Sequence, residues 1–418
     1  MTSLADRLRV VIGGTHEPPN REPANGEPPN VEPRTTNPRT DAAEILGGQW
    51  QESRGRKFLV VDRKYPPGYR HGRVSIADCL PPWPRFGLLG GTSGKTMFLD
   101  LETTGLAGGA GTYAFLVGCG WFEGGTFRLR QFFLADFAAE RALLESVAAL
   151  AGDINCVITY NGKTFDLPLV ETRFALQRID APFVDVAHVD MLHPARRMWR
   201  DEEVECRLTY LEQAVCGHER EGDVPGFEIP SRYFRYVRNG DARPLAAVLE
   251  HNRLDIVSLA MLTAHASQLL ADGPTSATTP REAFGMGKLY ERAGMLDEAL
   301  ACYRTAGLKT RPYTEELQAD ALRGAAMLLR RLRRYEEAAD SWRELLGIRG
   351  CSPSYAREAM QALAVHHEHR ARDLEAARRF ALQSLRLQAT AARQGAVQYR
   401  LARIDRKLGL TERTAPLF

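Results

Sequence analysis

Three segments in the last third of the chain, GMLDEALACY from residue 294, RRYEEAADSW from 333 and RDLEAARRFA from 372, align without a gap. The offset is 39 residues both times, and Ala299, Ala338 and Ala377 coincide, as do Leu296, Tyr335 and Leu374. A fixed period of this kind dictates stacked helical hairpins, because each unit buries its apolar face only against its neighbours. Small alanines let helices approach, and the larger residues fill between them. The period predicts an all-α helical-repeat domain over 278–410.

Upstream the pattern changes in kind. TMFLDLE, TYAFLVGCGWF and TFRLRQFFL read as strands, the last two joined by the hairpin signal EGG. AERALLESVAAL sets Leu143, Leu144, Val147 and Leu150 at helical spacing, with Asp136 near its start. NCVITY is a fourth strand, DLPLVETRFAL a helix, FVDVAHVD a fifth strand, and further helices end with PLAAVLEHNRLDIVSLAMLTAHASQLL. A three-stranded meander followed by alternating helices and strands predicts an α/β domain over 96–275, a mixed five-stranded sheet with flanking helices.

Residues 15–40 hold seven of the 23 prolines and almost nothing apolar. Such a segment buries too little surface to offset its ordering entropy, so 1–45 is expected to be a disordered tail. Residues 46–95, which include KFLVVDRKYP, read as a lead-in of no assigned role. Seven cysteines without a C-x-x-C pair suggest reduced thiols in a cytoplasmic protein. The N-terminus lacks a secretory apolar run, and no stretch approaches the ~20 apolar residues of a membrane span, so no membrane partner is expected. A net charge of +3 demands no polyanionic partner but leaves room for local basic patches.

GGTSGKTMFLDLETTG, residues 90–105, offers both a glycine-rich loop and a pair of acids. A phosphate-binding P-loop needs glycine, four residues and then Gly-Lys-Ser/Thr at the start of a helix. Here Leu89 stands where that first glycine belongs, and MFLDLE follows as a strand. The spacing therefore excludes the P-loop, and the acids remain. Asp100 and Glu102, two apart on a strand, share a face. Asp166 follows the fourth strand in YNGKTFD, and His251 and Asp255 lie one helical turn apart in HNRLD. Each has a plain structural explanation alone: a strand end, a helix cap, a satisfied histidine. Together, four carboxylates with a histidine make the donor set that hard divalent cations such as Mg²⁺ and Mn²⁺ prefer. Two such ions clamp the attacking and leaving oxygens of a phosphodiester.

FLDLETTG, YNGKTFD and HNRLD resemble the three exonuclease motifs of the DEDD group in the RNase H-like superfamily. More narrowly, FLDLETTGLAGGAGTYAFLVG, DVPGFEIPSRYF and HNRLDIVSLAML look like its YprB-like branch, over roughly residues 50–270. The resemblance implies an RNase H-like fold, hydrolysis of phosphodiester bonds with two Mg²⁺ or Mn²⁺ ions, and Asp100, Glu102, Asp166 and Asp255 as ligands. In that group a histidine stands five positions, or a tyrosine four positions, before the last aspartate. This chain has Glu250 at the first position and a histidine, His251, at the second. A histidine there can orient or deprotonate a water. The helical period resembles tetratricopeptide repeats, whose usual length is about 34 residues, with the excess in loops such as LGIRGCSPS.

Further substrate contacts are expected from Thr103, Thr104 and Gly105 after the ligand strand, from Asn161 and Lys163, and from Arg196, Arg197 and Arg200. Asp190 is an extra acid or a helix cap. HHEH at 366–369 is expected to be an exposed stretch of repeat helix, not a zinc site. The reading is a cytoplasmic two-metal nuclease, trimming RNA or DNA from a 3′ end, with repeats that bind a protein partner or guide substrate. A scaffold that binds nucleic acid without cutting it, and an endonuclease with the same ligands, stay open.

Overall fold

The computed structural model describes residues 38–105, 111–200, 206–308, 314–387 and 391–410. The expected disordered tail lies outside the described residues up to 37, but its last part is ordered. Pro38–Leu46 form helix α1, and Ala42 and Leu46 are buried in a core. The first strands follow as β1 (Gln49–Ser53), β2 (Arg56–Tyr65), β3 (Arg70–His71), β4 (Val74–Ser75), β5 (Thr96–Thr103), β6 (Ala114–Glu123) and β7 (Thr126–Phe133). Helix α2 (Glu140–Ala151), β8 (Cys156–Thr159), α3 (Asp166–Leu176), β9 (Ala187–Asp190) and α4 (Leu192–Met198) come next. Short α5 (Leu208–Leu211), α6 (Ile229–Asn239) and the 30-residue α7 (Arg243–Asp272) complete this part.

The principal sheet has seven strands in the order β1-β2-β7-β6-β5-β8-β9. The five expected strands are all present, and β1 and β2 add two more. The separation of a lead-in at residue 96 therefore does not hold, because KFLVVDRKYP is β2 and pairs antiparallel with β7 from Leu59↔Phe133 to Tyr65↔Phe127. Strands β5, β8 and β9 run parallel, and the others are antiparallel.

Alternation along β5 positions the acids. Met97, Leu99 and Leu101 enter one core, whereas Phe98 enters the core on the other face. Asp100 and Glu102 continue the face of Phe98. Over that face lies α7, which approaches β6 closely because Gly118 and Gly120 have no side chain. A Cβ on Gly118 would stand 2.3 Å from both Asn252 Oδ1 and Ile256 Cδ1, and one on Gly120 2.6 Å from Ile256 Cγ2. Contrary to the sequence expectation, α7 is long and apolar enough to cross a membrane by length and composition. Its apolar window is 78% buried inside the protein, as befits a core helix.

Helices α8 (Pro280–Arg292), α9 (Leu296–Gly307), α10 (Glu315–Arg331), α11 (Tyr335–Leu346), α12 (Pro353–His366), α13 (Leu374–Leu385) and α14 (Ala391–Leu408) form the C-terminal array. Its period appears directly, since α9, α11 and α13 start at Leu296, Tyr335 and Leu374. Ala299, Ala338 and Ala377 are all buried at the packing surfaces. The array does not begin as a separate body at 278. Met286, Leu289, Tyr290 and Tyr303 belong to the same core as Phe98, Ile256 and Leu262. Tyr290 Oη donates to the Leu270 carbonyl at 2.6 Å, and Trp199 Nε1 to Glu282 Oε1 at 2.9 Å. HHEH is exposed only in part, at His369. His366 and Glu368 are buried, and Glu368 accepts from Arg400, Arg403 and Lys407 at 3.0, 2.7 and 3.1 Å, fastening α14 to the array.

Candidate active site

Asp100 pairs across the sheet with Gly118, and Glu102 with Leu116, after which the register shifts at Thr103. The acids thus sit where regular pairing of β5 ends. Neighbouring β8 runs parallel to β5, so the loop after β8 emerges at the same end of the sheet and delivers Asp166. Asp166 is the first residue of α3 and not its cap. From α7, His251 and Asp255 come down over the same ground. A cleft of about 570 Å³ is lined by these four acids and His251, with Thr103, Gly105 and Asn161 beside them.

Electrostatically the cluster is unfinished. Burial, with repulsion from Asp255, Glu102 and Asp166, holds the Asp100 carboxyl well above the usual range despite a hydrogen bond from Asn252. Glu102 is raised in the same way, by burial and then by Asp255 and Asp166. Asp166 is pushed up to about 7 by burial and by Asp190 and Asp255. All four donors are hard oxygens, and a divalent cation among them would relieve both the repulsion and the cost of burial. The donor set therefore fits Mg²⁺ or Mn²⁺.

The surroundings of these acids were not evident in the sequence. Asn252 Nδ2 donates to Asp100 Oδ2 at 2.7 Å and is itself held by Gln131, whose Nε2 donates to Asn252 Oδ1 at 2.8 Å. Asp223 lies 2.6 Å from His251 Nδ1, and the other ring nitrogen of His251 faces Asp255 Oδ2 at 3.7 Å. Arg220 donates to Asp255 Oδ1 at 2.6 Å, to buried Glu212 Oε2 at 2.6 Å and to Asp223 Oδ2 at 3.2 Å. Glu212 in turn meets His71 Nε2 at 2.7 Å. Burial works against charge on Arg220, but Asp255 and Glu212 outweigh it and hold the guanidinium firmly protonated. Asp223, also disfavoured as an anion by burial, is nevertheless lowered by His251 and Arg220. Only the density of charges in HEREGDVPGF hints at this layer.

His71, Glu212 and His218 bring one possible ligand atom each within 4.8 Å of one another. The two rings are stacked at 4.0 Å and 27°, and their Nε2 atoms both approach Glu212 Oε1, at 2.7 Å from His71 and 3.8 Å from His218. Glu212 engages His71 through Oε1 and Arg220 through Oε2, so the cluster backs the Arg220 guanidinium.

The expected substrate contacts divide. Thr103 Oγ1 donates to the Gly105 carbonyl at 3.0 Å, and Thr104 Oγ1 accepts the Tyr113 N–H at 2.9 Å, so Thr104 secures the loop and does not line the cleft. The glycine-rich stretch 106–110 lies outside the described residues. Lys163, Asp190 and Arg197 line a different cleft, while Arg196 and Arg200 are exposed outside both. Asp190 is not the cap of α4, whose N-cap is Met191; from one residue earlier it accepts the Leu192 N–H at 3.1 Å and also the N–H groups of Asn161 and Lys163. It therefore shapes the loop that carries Asp166.

Residues 97–267 match the RNase_H superfamily, a span running from β5 almost to the end of α7. The chain is 31% identical over 361 residues to the uncharacterized protein YprB of Bacillus subtilis (strain 168), covering 84% of this chain and 86% of that one. Among solved structures there is a distant similarity to the family B DNA polymerase from the hyperthermophilic archaeon Pyrobaculum calidifontis. Its TM-score is 0.34 at 14% identity, over 58% of this chain and 30% of the polymerase. An RNase H-type sheet, its acid-lined cleft and a relative similar along most of its length agree, and the chain belongs to the YprB-like branch of the RNase H superfamily.

Proposed function

We propose that this protein is a nuclease that hydrolyses phosphodiester bonds of RNA or DNA in the cytoplasm, acting as a 3′→5′ exonuclease with two divalent cations. The observation that carries the reading is the gathering of Asp100, Glu102, Asp166 and Asp255 about one cleft. Three of these carboxyls are raised by burial and by one another. Mg²⁺ or Mn²⁺ held by these four residues supplies Lewis acidity and charge neutralisation at the phosphodiester.

The remaining work belongs to side chains. A His251 Nδ1–H donating to Asp223 leaves Nε2 as an acceptor, suited to hold the attacking water and take its proton. Arg220 fixes Asp255 by one oxygen, and Asn252 fixes Asp100 by one, so each acid keeps an oxygen for a ligand. Phe165 lines the cleft while 56% exposed, offering an aromatic face for a base. The tetratricopeptide-like array is a platform for a protein partner or for substrate.

Incubation with end-labelled single- and double-stranded RNA and DNA, in Mn²⁺, Mg²⁺ or EDTA, tests the reading. Metal-dependent ladders shortening from the 3′ end are expected. Internal fragments would replace the exonuclease with an endonuclease. Binding without cleavage in either metal would leave a scaffold.

A further inference from the structure

A second cleft, of about 500 Å³, opens where the sheet meets the first hairpin of the array. Its walls are the turn Phe86–Leu89 with Gly90, residues of β9 and α4, and the C-terminal end of α8. The polar side chains on it are Lys163, His188, Asp190, His193, Arg197 and Arg292. Asp190 is the one carboxylate of this lining, and its oxygens are already taken by backbone. Oδ1 accepts from Asn161 and Leu192 at 2.7 and 3.1 Å, and Oδ2 from Lys163 N–H at 3.1 Å. Among the described residues, Lys163, Arg197 and Arg292 make no ion pair. Three cations turned toward one concavity repel one another, and the low-dielectric walls focus their field on whatever enters.

The two clefts share a ridge. Asn161 lines the first, Lys163 the second, and Asp166 follows three residues later as the first residue of α3. The backbone of Arg197 is fixed because α8 lies directly on that of α4. Gly285 permits that contact, since a Cβ there would stand 2.3 Å from the Arg197 carbonyl oxygen. Arg292 reaches the same cleft from the end of α8, so this basic surface exists only because the array packs against the sheet.

We infer that the second cleft is the path of the substrate strand, holding the sugar–phosphate backbone of single-stranded nucleic acid through Lys163, Arg197 and Arg292. A volume of this size accepts a nucleotide or two of a single strand. The array then contributes to nucleic-acid binding itself. That the bound strand is the substrate of the acid-lined cleft rests on the nuclease reading; its binding does not.

The test uses the full chain in EDTA, with fluorescent single-stranded 15-mers of DNA and RNA titrated at several salt concentrations. Lys163→Gln, Arg197→Gln and Arg292→Gln are each expected to weaken binding roughly tenfold and to lower the salt slope by about one. Arg386→Gln, an equal change of charge at an exposed position on the third hairpin, should bind as the parent does. Unaltered melting curves for Arg197→Gln and Arg292→Gln separate lost contacts from lost fold. The inference is overturned if all three variants bind the 15-mers like the parent, even if cleavage in Mn²⁺ is normal. It is equally overturned if they lose affinity for inorganic phosphate while keeping it for the oligonucleotides. Weakened binding in a protein that cleaves nothing would instead sink the nuclease reading and retain the path.

Discussion

His251 Nδ1 lies 2.6 Å from Asp223 Oδ1, a contact between α7 and a loop 28 residues earlier that fixes which ring nitrogen faces the acids. If His251 handles the proton of the attacking water, His251→Ala should lower turnover by about 10²–10⁴-fold while leaving metal binding largely intact. Asp223→Asn should slow turnover less, because it spoils the orientation of the ring but not its presence. Steady-state rates and calorimetric titration with Mn²⁺ check both. A His251→Ala protein with parental turnover removes the histidine from the mechanism.

Loss of a ligand acid should be more severe. Asp100→Asn and Glu102→Gln are expected to abolish cleavage in Mg²⁺ and Mn²⁺ without unfolding the protein, since each removes negative charge that burial already disfavours. Circular dichroism monitors the fold and a gel assay the products. Undiminished wild-type turnover in EDTA contradicts the metal-dependent reading.

The same acids set a pH dependence of stability. Asp166 titrates near 4 when unfolded and at about 7 in the folded, metal-free protein, so the folded state binds more protons between those values. Its stabilising contribution is present below pH ~4 and is lost as pH rises through about 7. Asp100 and Glu102 act in the same direction. Asp166→Asn should therefore raise the melting temperature of metal-free protein at pH 8 by a few degrees, with little gain at pH 5. Mn²⁺ should stabilise the parent at pH 8 more than the variant. Scanning calorimetry at the two pH values, with and without Mn²⁺, decides this.

Gly118 supports the site without supplying a ligand. In Gly118→Ala the new methyl would collide with Asn252 and Ile256, forcing α7 away from β6 and Asn252 away from Asp100. A stability loss of about 1–3 kcal/mol is expected, together with reduced turnover. Denaturant unfolding measures the first, and a nuclease assay the second. An alanine variant as stable and active as the parent would show that the close approach is dispensable.

A chain ending near residue 275 should be much less stable than the full chain, because Met286, Leu289 and Tyr290 are removed from a core shared with Ile256 and Leu262. Met286→Ala, in the intact chain, should cost about 2–5 kcal/mol for the same reason. Melting of the shortened protein at the parental temperature would restore the two-body arrangement.

The sequence by itself determined the local geometry. Two-residue spacing on a strand placed Asp100 and Glu102 on one face, four-residue spacing on a helix placed His251 one turn from Asp255, and a 39-residue period fixed the starts of α9, α11 and α13. The first two follow from backbone periodicity, which is the same wherever the element lies, and the third from a repeated unit of sequence. Tertiary structure decided the rest. Nothing local says that β2 lies beside β7, that Gly118 admits Asn252 to Asp100, or that Arg220 spans Asp255 and Glu212. The site's supporting charges come from separate stretches of chain, and their pairing depends on which surfaces pack together. For the same reason Lys163 and Arg197 could be read as phosphate contacts beside the acids, whereas packing of α8 on α4 sets them with Arg292 in a cleft of their own.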